Sequence, residues 1–528
     1  MSPKRGFILL SIGIPILILM FSLSHPSALW LFIVVLPIII LGYLDLNQRK
    51  KTLLQLYPVI GHLRYLLEYI RPEIQQYFIE SDTNGKPISR EFRTLVYQRA
   101  KGVRDTRPFG TVFDVYRSGS EWVNHSLAPT KIQDKDPRII FGGATCKQPY
   151  SASPLNISAM SYGALSKTAI MALNKGAKMD GFAHNTGEGG LSPYHLKYGG
   201  DLIWQIGTGY FGCRSKDGGF SEEKFIKSAA TDSVKMIEIK LSQGAKPGHG
   251  GVLPGAKVTQ EIADIRGVDI GKDVISPPAH SAFSSPISLL EFVAQLRELS
   301  GGKPVGFKLC IGYKTEFMSI CKAMIKTGIT PDFITIDGSE GGTGAAPVEL
   351  TNSVGMPLWD AVTFVNNALI GSGVRDKVRI IAAGKIISAF HMMRIIALGA
   401  DTINSARGMM FALGCIQSRS CNTDKCPTGI ATQNPKRYQA LDVTDKGERV
   451  SNYHRSMIHH LVELLEVAGL ESTADIKPWH INRRINNTEV KNYSEIYEEI
   501  DKGCLLGEKT IPMRWKKNWQ QASMLKWN

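Results

Sequence analysis

The sequence predicts an α/β protein built on a (β/α)8 barrel of the TIM type, preceded by a transmembrane hairpin of two helices. Three observations predict the barrel. Short apolar or β-branched runs alternate with helix-sized segments between residues 155 and 407. The runs number about eight over roughly 250 residues, which fits this barrel. Most runs end in glycine-rich polar segments. An open doubly wound sheet also fits, because periodicity does not reveal strand order.

Glycine-rich strand ends indicate where a ligand site lies. The predicted strands are Leu155–Ala159, Gly181–His184, Leu202–Ile206, Lys235–Leu241, Val305–Leu309, Phe333–Ile336, Val378–Ala382 and Thr402–Asn404. Five of them are followed by polar glycine-rich segments, at 161–163, 185–190, 243–246, 337–344 and 384–385. In a barrel all of these ends meet at one mouth, where active sites are built. Segments 384–385 and 405–408 follow strands seven and eight, which predicts a phosphate site there.

One glycine motif has the wrong context for a dinucleotide. Residues 207–212 match G-x-G-x-x-G after a predicted strand. That fingerprint needs a helix directly after the glycines, and residues 213–219 do not start one. The sequence also contains no Walker-type phosphate loop. We therefore do not expect a dinucleotide-binding domain.

The overall charge is basic, with a formal net charge of +15 and a pI near 9.3. This fits either a plain solvated surface or contact with an anionic membrane, a phosphate-bearing ligand or an acidic electron-donor protein. Nucleic acid is disfavoured, because no run of Lys and Arg is interleaved with aromatic residues.

The N-terminus predicts a membrane anchor. Residues 7–23 and 28–43 are almost all apolar and are joined by a short polar break. Each run approaches the length of a spanning helix. A cleaved signal peptide is disfavoured, because no small-residue cleavage site precedes the second run. Basic residues flank the pair at Lys4, Arg5 and 49–51, so the positive-inside rule places the rest of the chain in the cytoplasm.

The domain boundaries follow from these patterns. We predict the hairpin at residues 1–47, a connector and cap at 48–150, the barrel at 151–440, and a C-terminal helical segment and tail at 441–528. Helix-like patterns occur at Leu53–Phe78 and Glu448–Ala468. In the tail, Trp515 and Trp519 fit packing against the barrel better than contact with a membrane surface.

Three of the 8 cysteines crowd into one segment, as Cys415, Cys421 and Cys426 with a proline after the last. Structural zinc prefers four ligands and C-x2-C pairs, and both are missing here. Iron–sulfur clusters are held by cysteine thiolates, and a Cys-Pro ending is typical of ferredoxins. Three ligands suit a cluster of three irons. The other cysteines do not resemble a secreted disulfide framework.

Several motifs in one order resemble the FMN-binding synthase domain of the glutamate synthase large subunit. The similarity runs from about residue 155 to residue 468. The matching motifs are 160–166 (MSYGALS), 185–190 (NTGEGG), 243–248 (QGAKPG), 275–278 (ISPP), 341–345 (GGTGA) and the cysteine segment that ends in 428–433 (TGIATQ).

This resemblance implies FMN, a 3Fe-4S cluster and formation of L-glutamate from 2-oxoglutarate and ammonia, with a hydride passing from reduced flavin to an imine. It implies that Cys415, Cys421 and Cys426 ligate the cluster in loop 415–426. The residues that it implies around FMN are Ser161, Lys308, Gly341, Gly342, Thr343, Gly384 and Arg407.

The resemblance also implies a substrate site. It implies that Gln243 and Lys246 meet the substrate carboxylates and keto group. Lys240 and Lys308 are candidates for an electrostatic role at the flavin or substrate, with a solvated charge as the alternative for Lys240 and Lys246. Glu188 fits equally a substrate-site acid and a structural acceptor for loop N–H groups.

The chain departs from the family pattern in ways that affect its expected partners. A membrane hairpin begins the chain where the family has a glutaminase domain, and Pro-Gly-Glu-Gly-Gly becomes Pro-Gly-His-Gly-Gly at His249. The nitrogen donor is then expected to be ammonia, free or supplied by a separate subunit. Since the chain shows no NADPH domain, electrons are expected from ferredoxin or a separate reductase.

Three alternatives to glutamate synthesis stay open. One is a related oxidoreductase of amines or oxoacids, such as an N-methylglutamate synthase-like component. Another is a membrane-associated flavin and iron–sulfur electron-transfer module. The third, an isomerase barrel that uses reduced flavin, is disfavoured by the cysteine triplet.

Overall fold

The computed structural model of the chain describes residues 2–527. The first residue of the predicted hairpin and the last of the predicted tail therefore lie outside the described part. The chain divides into two compact units, with the boundary between Arg90 and Glu91.

The smaller unit is helical. It consists of α1 (Pro3–Ser22), a 3-10 segment (Pro26–Leu31), α2 (Phe32–Asn47), α3 (Thr52–Leu56), α4 (Gly61–Ile74) and a π-helical turn (Gln75–Ile79). Two stretches, Pro3–Ser22 and Pro26–Asn47, are long and apolar enough to cross a membrane by length and composition. The last three elements agree with the helix-like pattern predicted at 53–78.

The larger unit begins with a short helix and a hairpin that closes the barrel from below. Its first elements are α5 (Arg90–Lys101), β1 (Glu121–Val123), β2 (Ile139–Phe141) and β3 (Tyr150–Ala152). Strands β2 and β3 pair antiparallel. Phe141 packs edge-to-face on Phe333, with ring centroids 5.8 Å apart, in a buried cluster that includes Ala183, Ile203 and Met236. The hairpin therefore fills the end of the barrel opposite the strand C-termini.

The barrel alternates strands and helices. Its elements are β4 (Leu155–Ile157), α6 (Lys167–Asp180), β5 (His184–Asn185), α7 (Pro193–Leu196), β6 (Leu202–Ile206), α8 (Glu222–Ala229), β7 (Val234–Lys240), β8 (Val252–Leu253), a 3-10 turn (Gly255–Lys257), α9 (Gln260–Arg266), β9 (Val274–Ile275), α10 (Pro286–Leu299), β10 (Val305–Leu309), α11 (Lys314–Thr327), β11 (Phe333–Asp337), α12 (Val348–Ser353), α13 (Leu358–Gly371), a 3-10 turn (Arg375–Lys377), β12 (Arg379–Ala383), α14 (Ala389–Ala397), β13 (Thr402–Ser405) and α15 (Arg407–Ala412).

Eight parallel strands close into the barrel in the order β4-β5-β6-β7-β10-β11-β12-β13. The predicted barrel is confirmed, and the open-sheet alternative is wrong. Each predicted run overlaps one of these strands. The largest difference is at β5, which begins at His184 because Gly181 adopts a left-handed φ of 60° and ends α6 instead.

Residues after the barrel form α16 (Pro435–Tyr438), α17 (Val443–Ala468), two 3-10 turns (Thr473–Asp475 and Pro478–His480), β14 (Ile481–Arg484), β15 (Val490–Asn492), α18 (Tyr493–Ile496) and α19 (Met513–Gln521). Helix α17 contains the predicted helix and starts earlier, because Asp442 accepts a hydrogen bond from the N–H of Asp445 and caps it.

The tryptophans of the tail pack on the barrel helices, as the sequence favoured. Trp515 and Trp519 are 5% and 8% exposed. Trp515 stacks on Phe364 of α13 with ring centroids 5.4 Å apart. Lys322 of α11 places its ammonium 5.3 Å from the Trp519 ring centroid. Contact of these two rings with a membrane surface is therefore wrong.

Candidate active site

Strand alternation places a column of polar side chains inside the barrel. Glu238 and Lys240 lie two residues apart on β7, so they share its interior face. Glu238 is fully buried and accepts hydrogen bonds from Asn185 (2.8 Å), Gln205 (2.6 Å) and Thr335 (2.6 Å). This carboxylate lies below the mouth of the barrel. This residue was not predicted from the sequence. Strand periodicity could have indicated it, because a Glu two residues before Lys240 in an apolar strand must lie on the same face as Lys240.

Lys308 and Asp337 form an ion pair at the mouth, with Nζ and Oδ2 3.3 Å apart and both side chains largely buried. Burial lowers the pKa of Lys308, but the attraction of Asp337 and Glu238 outweighs it and leaves the pKa above its usual value. Asp337 also accepts a 2.9 Å hydrogen bond from the N–H of Gly244. It therefore ties the loop after β7 to the end of β11.

A second ion pair joins Lys240 to Glu188, with Nζ and Oε2 3.0 Å apart. Burial raises the pKa of Glu188, but the attraction of Lys240, Arg266 and Lys246 outweighs it and holds the pKa below its usual value. A Cβ on Gly251 would lie 1.8 Å from Glu188 Oε1, so this glycine leaves room for the carboxylate. Glu188 is thus an ionised carboxylate among cations.

Lys246 lies in the excursion of the chain between β7 and α10, residues 241–285. Its side chain is buried, and Lys240 is 8% exposed, so the alternative of a solvated charge is wrong for both. Burial lowers the pKa of Lys246 to about 8, against the attraction of Glu188. Gln243 is half-buried in the same loop. The predicted substrate residues Lys240, Gln243, Lys246 and Glu188 therefore lie around one mouth.

Arg266 is a member of this site that sequence reasoning missed. It is the last residue of α9, and its Nη2 donates to the carbonyl of Tyr162 at 3.0 Å and to the hydroxyl of Ser161 at 3.4 Å. Its Nε is buried without a hydrogen-bond partner in the described part of the chain. Burial lowers the pKa of Arg266 to about 10, against the attraction of Glu188.

The glycines of two motifs leave space for this guanidinium. A Cβ on Gly189 would lie 2.8 Å from Arg266 Nη2, and a Cβ on Gly163 would lie 3.1 Å from the same atom. Side chains at these positions would displace Arg266. The glycine-rich loops therefore serve close packing around the site as well as any approach of a ligand.

Apart from Ser161, which contacts Arg266, the residues predicted around FMN lie at the ends of β10 to β13 on the other side of the mouth. Arg407 begins α15 just after β13, is half-buried, and donates to the carbonyl of Glu340 at 2.7 Å. Burial lowers its pKa, against the attraction of Asp337 and Glu340. A Cβ on Gly342 would lie 3.3 Å from Arg407 Nε. Gly342 and Thr343 are exposed at the open mouth.

This arrangement fits the phosphate of FMN. Gly384 follows the seventh barrel strand, β12, and Arg407 follows the eighth, β13, which are the usual positions of a phosphate site in such barrels. Ser405 joins the two ends by donating to the carbonyl of Ile386 at 2.9 Å. Gly342 has no side chain to press on the guanidinium, so an anion has access to that cation. Ser161, by contrast, meets Arg266.

The cysteine loop follows α15. The N–H of Gln417 donates to Cys415 Sγ at 3.4 Å, and Cys426 Sγ lies 3.4 Å from Thr428 Oγ1. Burial raises the pKa of Cys426, but hydrogen bonds from Thr428 and from backbone N–H groups outweigh it and leave the pKa below its usual value. Backbone N–H groups that donate to sulfur are typical of iron–sulfur ligation.

The loop is also strained. Gln417, Arg419 and Asp424 adopt positive φ angles of 58°, 57° and 60°. Such conformations cost about 1–3 kcal/mol each for residues other than glycine and cluster at ligand-holding sites. Within residues 2–527, the ligand atoms of three or more Cys, His, Asp or Glu residues approach within 4.8 Å only at His459, His460 and Glu463. The three cysteines do not form such a tight group, which is what a single tetrahedral zinc ion would need, and thiolates are the usual ligands of an iron–sulfur cluster.

The cysteine loop lies against the predicted flavin loops. A Cβ on Gly344 would lie 3.8 Å from Cys421 Cβ. Gln433, just after the loop, donates through Nε2 to the carbonyls of Gly163 (3.0 Å) and Leu165 (2.9 Å). The structure thus brings the ends of β4 and β11 and the three cysteines together.

Known proteins resemble this chain over more than half of its length. The family model described as a conserved region in glutamate synthase matches residues 121–471. The chain is 38% identical to the glutamate synthase large subunit-like protein YerD of Bacillus subtilis, over 89% of this chain and 97% of that protein. It is 37% identical to the archaeal glutamate synthase (NADPH) of Methanocaldococcus jannaschii, over 62% of this chain and 61% of that protein. Among solved structures, mandelate oxidase with (S)-4-hydroxymandelic acid aligns over 76% of this chain and 98% of that chain, at 15% identity and a TM-score of 0.43, which is too distant to carry an argument.

Proposed function

This chain belongs to the glutamate synthase family, and on that premise we propose that it forms L-glutamate from 2-oxoglutarate and ammonia, using FMN and a 3Fe-4S cluster. Family membership makes it an oxidoreductase of glutamate synthase type. One observation carries the choice of substrate. Lys240, Lys246 and Arg266 surround the single carboxylate Glu188, which leaves an excess of positive charge in a buried site. A dicarboxylate is the ligand that balances it.

Arg266 and Lys246 are the proposed carboxylate anchors. The buried Nε of Arg266 has no partner among the described residues, and an unmade hydrogen bond of this kind costs about 1–3 kcal/mol. A substrate carboxylate would satisfy it and neutralise the guanidinium. Gln243 and Lys246 follow on the loop after β7, where an amide and an ammonium suit the second carboxylate and the keto oxygen.

Lys246 is also the proposed proton donor. Its pKa of about 8 keeps Nζ protonated at neutral pH yet able to release the proton. Attack of ammonia on the keto carbon forms a carbinolamine, and loss of its hydroxyl as water leaves a carbon–nitrogen double bond. Lys246 Nζ can protonate the leaving hydroxyl and regain a proton from the nitrogen, which gives up two of its three hydrogens in all. Glu188 then holds Lys240 in place and, through its attraction, keeps Lys246 charged.

FMN, when bound, would supply the hydride that reduces the resulting carbon–nitrogen double bond. Gly384 and Arg407 would hold its phosphate, while Gly341, Gly342 and Thr343 would border it. Lys308, kept charged by Asp337, would lie near the ring system. Ser161, also proposed beside FMN, accepts a hydrogen bond from Arg266 and so would link the flavin to the carboxylate anchor. This charged, glycine-bordered mouth is what supports a rigidly held flavin.

Cys415, Cys421 and Cys426 would hold the cluster that receives electrons from a partner protein, a ferredoxin or a separate reductase. The closeness of the cysteine loop to Gly344 supports passage of electrons toward the flavin. We further propose that the two apolar helices anchor the chain as a hairpin at 1–47, with residues 48–150 as connector and cap. The barrel at 151–440 and the segment at 441–528 would then lie on the cytoplasmic side.

The test is an anaerobic absorption spectrum of the purified full chain. We expect flavin and iron–sulfur absorbance that bleaches on reduction, with reoxidation only when 2-oxoglutarate and ammonia are both added, and L-glutamate formed in equal amount. Reoxidation by a quinone or carrier protein alone would favour an electron-transfer module. Reoxidation with another amine in place of ammonia would favour a related synthase. A colourless protein free of iron would refute the proposal.

A further inference from the structure

Lys257 is a buried lysine whose ammonium group is enclosed by backbone carbonyls. It ends the 3-10 turn after β8 and is 2% exposed. Its Nζ donates to the carbonyls of Cys421 (2.7 Å), Ala431 (3.0 Å) and Ala164 (3.1 Å). Three acceptors use all three hydrogens of an ammonium group. The three acceptors therefore match the donors of the charged, ammonium form.

This charge lies beside the cysteines. Lys257 donates to the backbone carbonyl of Cys421 itself. Burial lowers the pKa of Lys257, against the attraction of Asp424, Cys421 and Cys426. The other basic residues of the loop, Arg419 and Lys425, are exposed, so solvent screens them. A buried charge acts at a lower effective dielectric and is screened far less. Lys257 is thus positioned to dominate the local potential.

We propose that Lys257 is the counter-charge that sets the reduction potential of the cluster held by Cys415, Cys421 and Cys426. The inference rests on the proposed function, since it requires a cluster at these cysteines. Reduction adds an electron to a loop that already carries three thiolates. A fixed ammonium stabilises the reduced form more than the oxidised form and so raises the potential. Lys257 is a positioning residue in this role, because it touches the loop and not the substrate.

Lys257 also connects two parts of the site. It belongs to the same excursion, 241–285, as Gln243 and Lys246, and its carbonyl partner Ala164 belongs to the loop after β4. The cysteine loop is therefore held by a charge that the substrate loop supplies. This placement explains why a lysine is buried at a cost in desolvation instead of an apolar residue of similar length.

Lys303 is a matched control in the same chain. It is 7% exposed, and its Nζ donates to the carbonyls of Ala229 (2.6 Å) and Thr231 (3.3 Å). It lies just before β10, at the end of the barrel opposite the cysteine loop. Lys303→Met removes a comparable buried, carbonyl-bound ammonium without touching the cluster.

The experiment compares Lys257→Gln, Lys257→Met, Lys257→Arg and Lys303→Met in the full-length protein with its cofactors. Iron and sulfide content is measured first, and the midpoint potential of the cluster is then measured by anaerobic titration followed by electron paramagnetic resonance. We expect both neutral variants at Lys257 to lower the potential by at least a tenfold change in the reduction equilibrium, ~59 mV for one electron. Lys257→Arg and Lys303→Met should stay near the wild-type value.

The outcomes separate this inference from the proposed function. Wild-type protein without iron and sulfide contradicts the proposed function itself. A wild-type potential in cluster-replete Lys257→Gln or Lys257→Met overturns the inference alone. Loss of the cluster from both neutral variants, with retention in Lys257→Arg, supports a required charge. Loss from Lys257→Arg as well would make the residue a steric part of the loop and overturn the electrostatic role.

Discussion

Replacing Glu188 by glutamine removes the one carboxylate among three cations and tests the electrostatic account of the substrate site. The Lys240 and Glu188 side chains are 10% and 19% exposed. Removal of one partner from a fully buried pair costs about 3–5 kcal/mol, so we expect about 2–3 kcal/mol for this partly screened pair. In the absence of 2-oxoglutarate, the Glu188→Gln variant should therefore unfold at a lower guanidinium concentration than the wild type.

The same substitution should strengthen stabilisation by 2-oxoglutarate. Loss of Glu188 also removes the attraction that raises the pKa of Lys246, so the comparison is made well below pH 8, where Lys246 stays charged in both proteins. There the neutral amide of the Glu188→Gln variant no longer opposes a dianion, so the site gains affinity while the free protein loses stability. A ligand at 100 times its dissociation constant adds about 2.7 kcal/mol to stability, and tighter binding adds more at a fixed concentration. The assay measures unfolding midpoints with and without a fixed concentration of 2-oxoglutarate. The increment should be larger in Glu188→Gln than in the wild type.

Asp332→Asn supplies the control for this experiment. Asp332 pairs with Arg297 at 2.9 Å, with side chains 2% and 9% exposed, and accepts from the N–H of Val305 at the opposite end of the barrel. It should also destabilise the protein, but the increment from 2-oxoglutarate should equal that of the wild type. The electrostatic account is refuted if 2-oxoglutarate raises the unfolding midpoint of Glu188→Gln no more than that of the wild type. It is also refuted if 2-oxoglutarate raises the midpoint of Asp332→Asn as much as that of Glu188→Gln.

Four further predictions concern single features. Arg266→Gln should raise the dissociation constant of 2-oxoglutarate about 10–100-fold by calorimetry, since a hydrogen bond to a charged group contributes about 1.5–3 kcal/mol; an unchanged constant would remove Arg266 from the site. Affinity for 2-oxoglutarate, measured by calorimetry across pH, should fall as pH rises through about 8, where Lys246 loses its proton. The Lys246→Met variant should bind 2-oxoglutarate weakly, and its affinity should not fall in this pH range. Cys421→Ser should lose iron and sulfide, whereas Cys321→Ser, at a buried cysteine of α11, should keep both; equal content in the two would contradict the cluster assignment. The full chain should resist alkaline extraction from membranes and become extractable when residues 2–47 are deleted; extraction of the full chain would argue against the hairpin.

The barrel was predictable because each strand carries its own signal. Leu202–Ile206 and Val305–Leu309 are short, mostly apolar runs interrupted by Gln205, Gly306 and Lys308, and the structure has these two strands with the predicted bounds. Strand β5 is shorter than predicted, because Gly181 adopts a left-handed conformation that ends the preceding helix α6 and is not part of the strand. Closure could not be read from periodicity, because strand order depends on contacts between distant segments.

The site residues could be predicted from the sequence where they lie at or directly after the end of a strand. Lys240, Lys308 and Arg407 stand at strand ends, so the barrel alone brings them together. Arg266 ends a short helix far from any barrel strand end, and its local sequence reads as an ordinary amphipathic turn. Nothing near it in the chain indicates that α9 folds back over the mouth. Its position becomes evident only in the folded structure, where Gly163 and Gly189 lie so close to the Arg266 guanidinium that a side chain on either would contact it.

The excursion between β7 and α10 explains how one barrel serves two neighbouring sites. One covalent segment carries Lys246, Lys257 and Arg266, so the proposed carboxylate anchors and the contact with the cysteine loop belong to the same part of the chain. Its two short strands, β8 and β9, pair antiparallel and hold the segment as a small platform over the mouth. Gly250 is required there, because a Cβ would lie 1.8 Å from the carbonyl of Ser276. Within this segment Lys257 contacts the cysteine loop and Arg266 contacts Ser161 and Tyr162, so one stretch of chain joins the cysteine loop to the end of β4.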